Sequence, residues 1–245
     1  MNVALIGYGK MGREIERIAG ERKIKIGHVF TSDNNASGKG LTKQSLKGID
    51  VCIDFSTPEA TEQNVRAAAA CGKNIVLGTT GWYDRMKEIE KIVRENKVGL
   101  LFSANFSVGM NVFFQLVGLA SKKFDKTEEY DVAIQETHHK SKTDSPSGTA
   151  LTLGQIILKN YPRKQRMLLE RAKDQIGKES LHVTSTRVGS AVGKHTVIFD
   201  SEADSIELIH TAKNRTGFAR GALLAAEWLN GRKGWFTMND VITSI

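Results

Sequence analysis

The hydrophobic positions of the first hundred residues follow two periods in turn. Short runs of β-branched and aliphatic residues at 2–6, 24–30, 49–55, 74–77 and 98–103 fit buried strands. Between them, apolar residues recur at helical spacing over 11–19, 58–71 and 84–95. Parallel neighbours need long connections, so strands alternating with helices predict an α/β unit built on a parallel sheet. The run Ser56-Thr57-Pro58-Glu59 marks a helix start, because a hydroxyl can cap the first turn and proline fits inside it. After an apolar helical stretch at 108–119 the pattern lengthens. Runs at 130–137, 181–188, 195–200 and 205–212, with a helix over 150–159, predict a second α+β unit with a mostly antiparallel sheet. Residues 218–229 return to helical spacing and are expected to dock back on the first unit.

Chemistry enters at the end of the first strand. Gly7-Tyr8-Gly9-Lys10-Met11-Gly12 is a G-x-G-x-x-G between a predicted strand and helix, the context that motif requires. Gly7 allows the tight turn, Gly9 lets the backbone approach a pyrophosphate, and Gly12 lets the helix pack closely. The helix N-terminus then offers partial positive charge to the phosphates, with Lys10 beside it. A dinucleotide is the expected ligand. An acid at the tip of the second strand would bind a ribose diol, whereas hydroxyl or basic groups would accept a 2′-phosphate. Here Thr31 and Ser32 lie nearest the tip and Asp33 follows, so both NADH and NADPH are expected.

Charge and composition narrow the classes. The net charge of +8 is spread through helices where bases and acids interleave, without a helix-turn-helix signal or aromatic-basic spacing. Small anionic ligands account for it, and nucleic acid is not expected. Cys52 and Cys71 have neither metal-ligand nor disulfide-framework spacing, which favours a reducing compartment and no metal. No run reaches the ~20 apolar residues of a membrane span, and the chain enters its first strand without a basic leader. A cytoplasmic, membrane-free protein is expected.

Three further segments fall at predicted strand ends, where open parallel sheets bind ligands: Asp54-Phe55-Ser56-Thr57-Pro58, Gly78-Thr79-Thr80-Gly81 and Ala104-Asn105-Phe106-Ser107-Val108-Gly109. The central part carries Glu136-Thr137-His138-His139-Lys140-Ser141-Lys142 and Asp144-Ser145-Pro146-Ser147-Gly148-Thr149. Later come Arg187-Val188-Gly189-Ser190-Ala191-Val192-Gly193-Lys194-His195 and Trp235-Phe236-Thr237-Met238-Asn239-Asp240-Val241. In this order, along the whole chain, the series resembles the dihydrodipicolinate reductases of lysine biosynthesis. The resemblance implies a Rossmann-type dinucleotide-binding domain over 1–108 and 215–245, and a central substrate-binding and oligomerisation domain over 109–214. It also implies a homotetramer and NAD(P)H-dependent reduction of a small dicarboxylic cyclic imine, 4-hydroxy-tetrahydrodipicolinate. It places the nicotinamide on Gly78, Thr79, Thr80 and the backbone of Ala104, Asn105 and Phe106.

Such a reduction needs anchors for carboxylates and an acid for the electron density that hydride leaves behind. Lys142 is a mobile point charge, and Ser147, Gly148 and Thr149 stand at a predicted helix start whose N–H groups favour an anion. The resemblance puts His139, Lys142, Gly148 and Thr149 on the substrate and makes His138 and Lys142 the proton-handling pair. His138 is the expected general acid, because imidazole titrates near working pH. A regular strand through 130–137 would point His138 and His139 to opposite faces. Glu136, Arg187 and His195, taken singly, read as structural or surface residues, and Phe55 and Trp82 as packing residues. Two rivals remain: a related amino-acid dehydrogenase of aspartate or diaminopentanoate type, and a non-catalytic dinucleotide sensor. A sensor would not need the histidine/lysine motif. A thiol-dependent semialdehyde dehydrogenase fits poorly, since neither cysteine lies in an activating setting.

Overall fold

A computed structural model of the chain describes residues 1–169, 172 and 174–245. In chain order the elements begin β1 (Asn2–Ile6), α1 (Lys10–Glu21), β2 (Lys25–Phe30), β3 (Val51–Asp54), α2 (Pro58–Ala70), β4 (Asn74–Leu77), α3 (Met86–Glu95) and β5 (Gly99–Phe102). They continue with α4 (Val108–Phe124), β6 (Asp131–His138), α5 (Gly148–Asn160), β7 (Arg166–Leu168), β8 (Ser180–Arg187), β9 (Gly193–Asp200) and β10 (Ser205–Ala212). The chain ends with α6 (Thr216–Leu229), β11 (Gly234–Thr237) and α7 (Met238–Thr243). Two compact units result: Met1–Val108 with Arg215–Ile245, and Gly109–Asn214.

The first unit is Rossmann-type. Its six strands pair in the order β11-β5-β4-β3-β1-β2, all parallel. Because side chains alternate across a strand, each run divides between two cores. Val3, Leu5, Val51 and Ile53 face α1, α6 and α7, while Ala4, Ile6, Cys52, Ile75 and Leu77 face α2 and α3. Small residues bring α6 in closely: a Cβ on Gly221 would lie 1.7 Å from the carbonyl oxygen of Phe106. Five strands were legible in the N-terminal pattern, and the sixth, β11, is a four-residue edge strand supplied by the C-terminus. After it, a reciprocal capping box between Thr237 and Asp240 starts α7.

The second unit is one five-stranded sheet, β10-β9-β6-β8-β7, under α4 and α5. The expected antiparallel pairing holds for β10-β9-β6, but β6-β8 and β8-β7 are parallel, so the sheet is mixed. The cause is topological. β6 leads through α5, and a helical crossover delivers the next strands parallel to the first. The three-residue β7 was too short to register as a period. Met110, Phe113 and Val117 of α4 and Leu153 and Ile157 of α5 cover Val132, Ile134, Leu181, Val183, Val197 and Phe199.

Candidate active site

In the first unit, the loops after β1, β3 and β4 surround an open cleft of about 390 Å³ at the carboxyl ends of the strands. Gly9, Lys10, Met11, Phe55, Ser56, Pro58, Gly78, Thr79 and Thr80 line it. The glycines of the first loop differ in their reasons. Gly7 has φ +89°, and a Cβ there would stand 2.4 Å from the Phe55 carbonyl oxygen; a Cβ on Gly12 would stand 2.4 Å from that of Gly7. At Gly9 nothing lies within 4 Å, leaving the start of α1 open to a ligand. The ring of Phe55 lies against Gly78, where a Cβ would meet it at 2.2 Å, so Phe55 packs and also forms wall. Trp82 is fully buried beside Phe102 and Trp235, a packing residue as expected.

Other expected cofactor residues stand off this wall. Tyr8 hydrogen-bonds Glu16 through its hydroxyl, and Arg13 sits over its ring at 5.3 Å. Thr31 and Asp33 belong to a tight turn in which Asn34 Oδ1 accepts from the Thr31 amide at 2.8 Å and Thr31 Oγ1 accepts from the Asp33 amide at 3.3 Å. The loop of Ala104, Asn105 and Phe106 is braced by Ser103, whose hydroxyl donates to the Asn105 carbonyl at 2.8 Å.

Beneath the cleft lies a strand-end residue to which the sequence gives no role of its own. Asp54, fully buried at the end of β3, accepts from the Ser56 amide (2.8 Å), Thr79 Oγ1 (3.2 Å) and Asn64 Nδ2 (3.1 Å). Asn64 in turn accepts from Asn35 (2.9 Å), which accepts from the Gly40 amide (3.1 Å). The Thr79 side chain therefore turns inward, and only the remainder of that residue faces the cleft. Burial raises the Asp54 pKa despite these hydrogen bonds.

In the second unit, the core layer becomes polar at one end. On β6 the core face runs Val132, Ile134, Glu136, His138; on β8 it runs Leu181, Val183, Ser185, Arg187; on β9 it runs Phe199, Val197, His195. Register sets Glu136 opposite both Ser185 and His195, and His138 opposite Arg187. Glu136 accepts from Ser147 N (3.0 Å), Ser185 Oγ (2.8 Å) and Arg187 Nη2 (3.0 Å), and from the Ser147 hydroxyl. His138 Nδ1 and His195 Nε2 lie 3.3 and 3.6 Å from its other oxygen. Burial opposes the Glu136 charge, but the nearby His195 and hydrogen bonds from Ser147 and Ser185 outweigh it and hold the carboxyl well below its ordinary range.

His138 ends β6 and is buried, whereas His139 begins the loop, partly exposed, with Nδ1 2.9 Å from Ser141 Oγ. Burial pushes the His138 pKa down to about 4; Glu136 opposes this, and His195, Lys142 and Arg187 reinforce it. His138 is thus neutral at neutral pH, not poised near it as its residue type alone suggested. Lys142 Nζ lies 2.7 Å from Asp144. Ser147 caps α5 by accepting from the Ala150 amide at 3.2 Å, so the helix begins two residues earlier than expected and Gly148 and Thr149 form its first turn. The unit thereby gathers His138, His139, Lys142, Ser147, Gly148 and Thr149 around the end of β6 and the start of α5. Glu136, His138 and His195 have the donor types of a metal site. Glu136, however, already accepts from four N–H and O–H donors, three on Oε1 and one on Oε2.

Residues 1–106 match the family "Dihydrodipicolinate reductase, N-terminus", and residues 109–242 match "Dihydrodipicolinate reductase, C-terminus". A 4-hydroxy-tetrahydrodipicolinate reductase of Christiangramia forsetii is 40% identical over 100% of this chain and 99% of its own length. One of Methanococcus vannielii is 37% identical over 96% of this chain and 85% of its own. A dipicolinate-bound dihydrodipicolinate reductase from a Paenisporosarcina species shares the fold, with a TM-score of 0.78, 24% identity and 97% coverage of both chains. Diaminopimelate dehydrogenase of C. glutamicum shares it more loosely, with a TM-score of 0.57 at 13% identity over 99% of this chain and 95% of its own. With both halves of the family matched and full-length relatives at this identity, the chain belongs to the dihydrodipicolinate reductase family.

Proposed function

We propose that the chain reduces 4-hydroxy-tetrahydrodipicolinate to tetrahydrodipicolinate with NADH or NADPH, in the diaminopimelate route to lysine. The observation that carries this is family membership over the full chain, joined to a buried histidine beside a lysine and a helix start in the second unit. The overall change adds hydride and a proton and releases the substrate hydroxyl as water. The reduced nicotinamide supplies the hydride. The first unit fits a dinucleotide because Gly9 leaves open space where Gly7 and Gly12 could not accept a side chain. Gly7, Tyr8, Gly9, Lys10, Met11 and Gly12 are assigned to the pyrophosphate, Thr31 and Asp33 to the adenosine ribose, and Gly78, Thr79, Thr80, Ala104, Asn105 and Phe106 to the nicotinamide.

In the second unit, Lys142, His139, Ser147, Gly148 and Thr149 are assigned to the substrate carboxylates, and His138 and Lys142 to the proton. Lys142 is held by Asp144 and exchanges that carboxylate for the substrate's. His138 starts neutral, so it must gain a proton before it can donate one. The incoming dicarboxylate favours that gain by offsetting the charges of Lys142 and Arg187.

A homotetramer in the cytoplasm completes the reading. Among the described residues no helix is long and apolar enough to cross a membrane. The face of the five-stranded sheet opposite α4 and α5 offers a surface for self-association. The test is to follow NADH and NADPH oxidation with substrate generated by the preceding synthase. Turnover that requires the synthase product supports the reading, while cofactor binding without turnover would favour a sensor.

A further inference from the structure

We propose that Glu136 is the positioning carboxylate of this reaction, setting His138 in one tautomer and holding the first turn of α5 from the same buried point. This rests on the reductase reading above, in which His138 handles the proton and α5 meets a carboxylate.

Four elements converge on Glu136. It stands on β6 and receives Ser185 and Arg187 from β8, His195 from β9, and both the amide and the hydroxyl of Ser147 from the start of α5. Packing alone does not call for a charge here. The apolar residues Val132 and Ile134 fill the equivalent face four and two positions earlier, and a buried carboxylate is retained only where donors compensate its desolvation. An ionised carboxylate accepts and cannot donate. His138 Nδ1 lies 3.3 Å from this carboxylate without hydrogen-bond geometry to it, and a hydrogen on Nδ1 is the tautomer the negative charge favours, which leaves Nε2 as the nitrogen that gains and gives the working proton. Gly193 keeps that second nitrogen accessible, because a Cβ there would stand only 2.9 Å from His138 Nε2. The logic is that of the carboxylate in a hydrolase triad, which orients an imidazole and stabilises its charged form without itself taking the proton.

The same carboxylate balances its surroundings. His195 from β9, Arg187 from β8 and Lys142 from the loop after β6 all act against a charge on His138, and Glu136 alone favours one. Ser147, the residue α5 contributes, is neutral, and His210 on β10 lies behind His195 in register. Without the Glu136 charge, His138 would take up its proton only at lower pH. The Ser147 cap would also be freed from β6.

The decisive variant is Glu136→Gln, measured with the His138→Ala single variant and the double variant. Alone, Glu136→Gln is expected to lower kcat by about a hundredfold, the usual worth of a positioned acid, and to move the alkaline limb of the kcat profile to lower pH. It is also expected to weaken binding of pyridine-2,6-dicarboxylate, used as the probe. In the His138→Ala background the same change should cost kcat less than about threefold, because residues acting as a unit are not additive. Equal losses in both backgrounds, or an unmoved pH profile, would overturn the proposal. Should the Gln variant fail to fold, nitrogen-15 NMR of the wild-type imidazoles decides, with His138 assigned by its absence from His138→Ala. The hydrogen belongs on Nδ1 at neutral pH, and hydrogen on Nε2 would refute the assignment. A wild-type protein inactive on the cyclic imine would defeat the reductase reading instead, leaving the tautomer measurement to judge Glu136 separately.

Discussion

Lys142 and His138 sit close in sequence but in different surroundings, and the difference predicts different kinetic faults. The lysine side chain is about a quarter exposed and paired with Asp144, a mobile cation at a helix start. It contributes in ground and transition states alike, so Lys142→Ala should raise KM for the imine, with kcat falling as well if the ammonium assists the proton. His138 is buried against Glu136 and matters once hydride moves. His138→Gln should keep KM within a few-fold while kcat falls about a hundredfold or more. Steady-state kinetics of both variants checks this, and near-normal turnover in His138→Gln would assign the proton to lysine or water. His138 and Lys142 could be proposed from the sequence because the double-histidine motif is specific. Glu136, Arg187 and His195 were not, because each was weighed singly and became a cluster only through strand register. A signal did exist: on three strands the core-face positions change from apolar to polar at the same end, but reading it requires knowing that β6, β8 and β9 are neighbours.

At the scale of the element, the strand-loop-helix of β1 and α1 was readable because each glycine answers a local steric demand. The short β7 and β11 were hidden because three or four residues carry no usable period, and the mixed sheet followed from a crossover that periodicity does not reveal. The glycines give a graded test. Gly12→Ala drives a Cβ to within 2.4 Å of the Gly7 carbonyl and should both lower Tm and abolish cofactor binding. Gly9→Val meets no protein atom within 4 Å of its Cβ, so Tm should stay within a few degrees while the KM for both cofactors rises at least about tenfold. Thermal melts beside cofactor titrations separate the two effects; a Gly9→Val variant with normal cofactor KM would remove the pyrophosphate from this loop. The turn after β2 has its own consequence. Thr31 and Asn34 bond the turn internally and Asp33 lies exposed, so no acid at the strand tip selects NADH. NADH and NADPH should differ in kcat/KM by less than about a hundredfold, ~2.7 kcal/mol at 1.36 kcal/mol per decade, and a larger preference for NADH would contradict this.

For the whole molecule, acid is the expected weakness, and surface composition points to assembly. His138 has a folded pKa of about 4, below its ordinary 6.5, so its contribution to stability is complete above pH 6.5 and is lost as pH falls towards 4, at most about 3 kcal/mol. Glu136, held low, acts in the same direction below its ordinary range, whereas Asp54, held high, favours the fold at low pH and loses that contribution as pH rises. Urea unfolding midpoints should therefore fall between pH 7 and pH 4, and His138→Gln should flatten the slope. In the second unit α4 and α5 cover one face of the sheet. By strand alternation the other face carries Ala133, Gln135, Thr137, Thr184, Thr186, Thr196, Ile198, Ile209 and Thr211. Its charges are Lys194, Glu207, Arg166 on the edge strand β7 and the terminal Asp131 and Asp200. The threonines and isoleucines of this face suit burial against further copies. Ile209, 49% exposed on the edge strand β10, is the residue to change. Wild-type protein should sediment at four times the 27.0 kDa chain mass. Ile209→Lys should shift it towards smaller species, since an unpaired charge in a buried apolar contact costs several kcal/mol. NADH binding should survive, because the glycine loop lies in the other unit. A wild-type monomer, or an Ile209→Lys protein of unchanged mass, would remove this face from the interface.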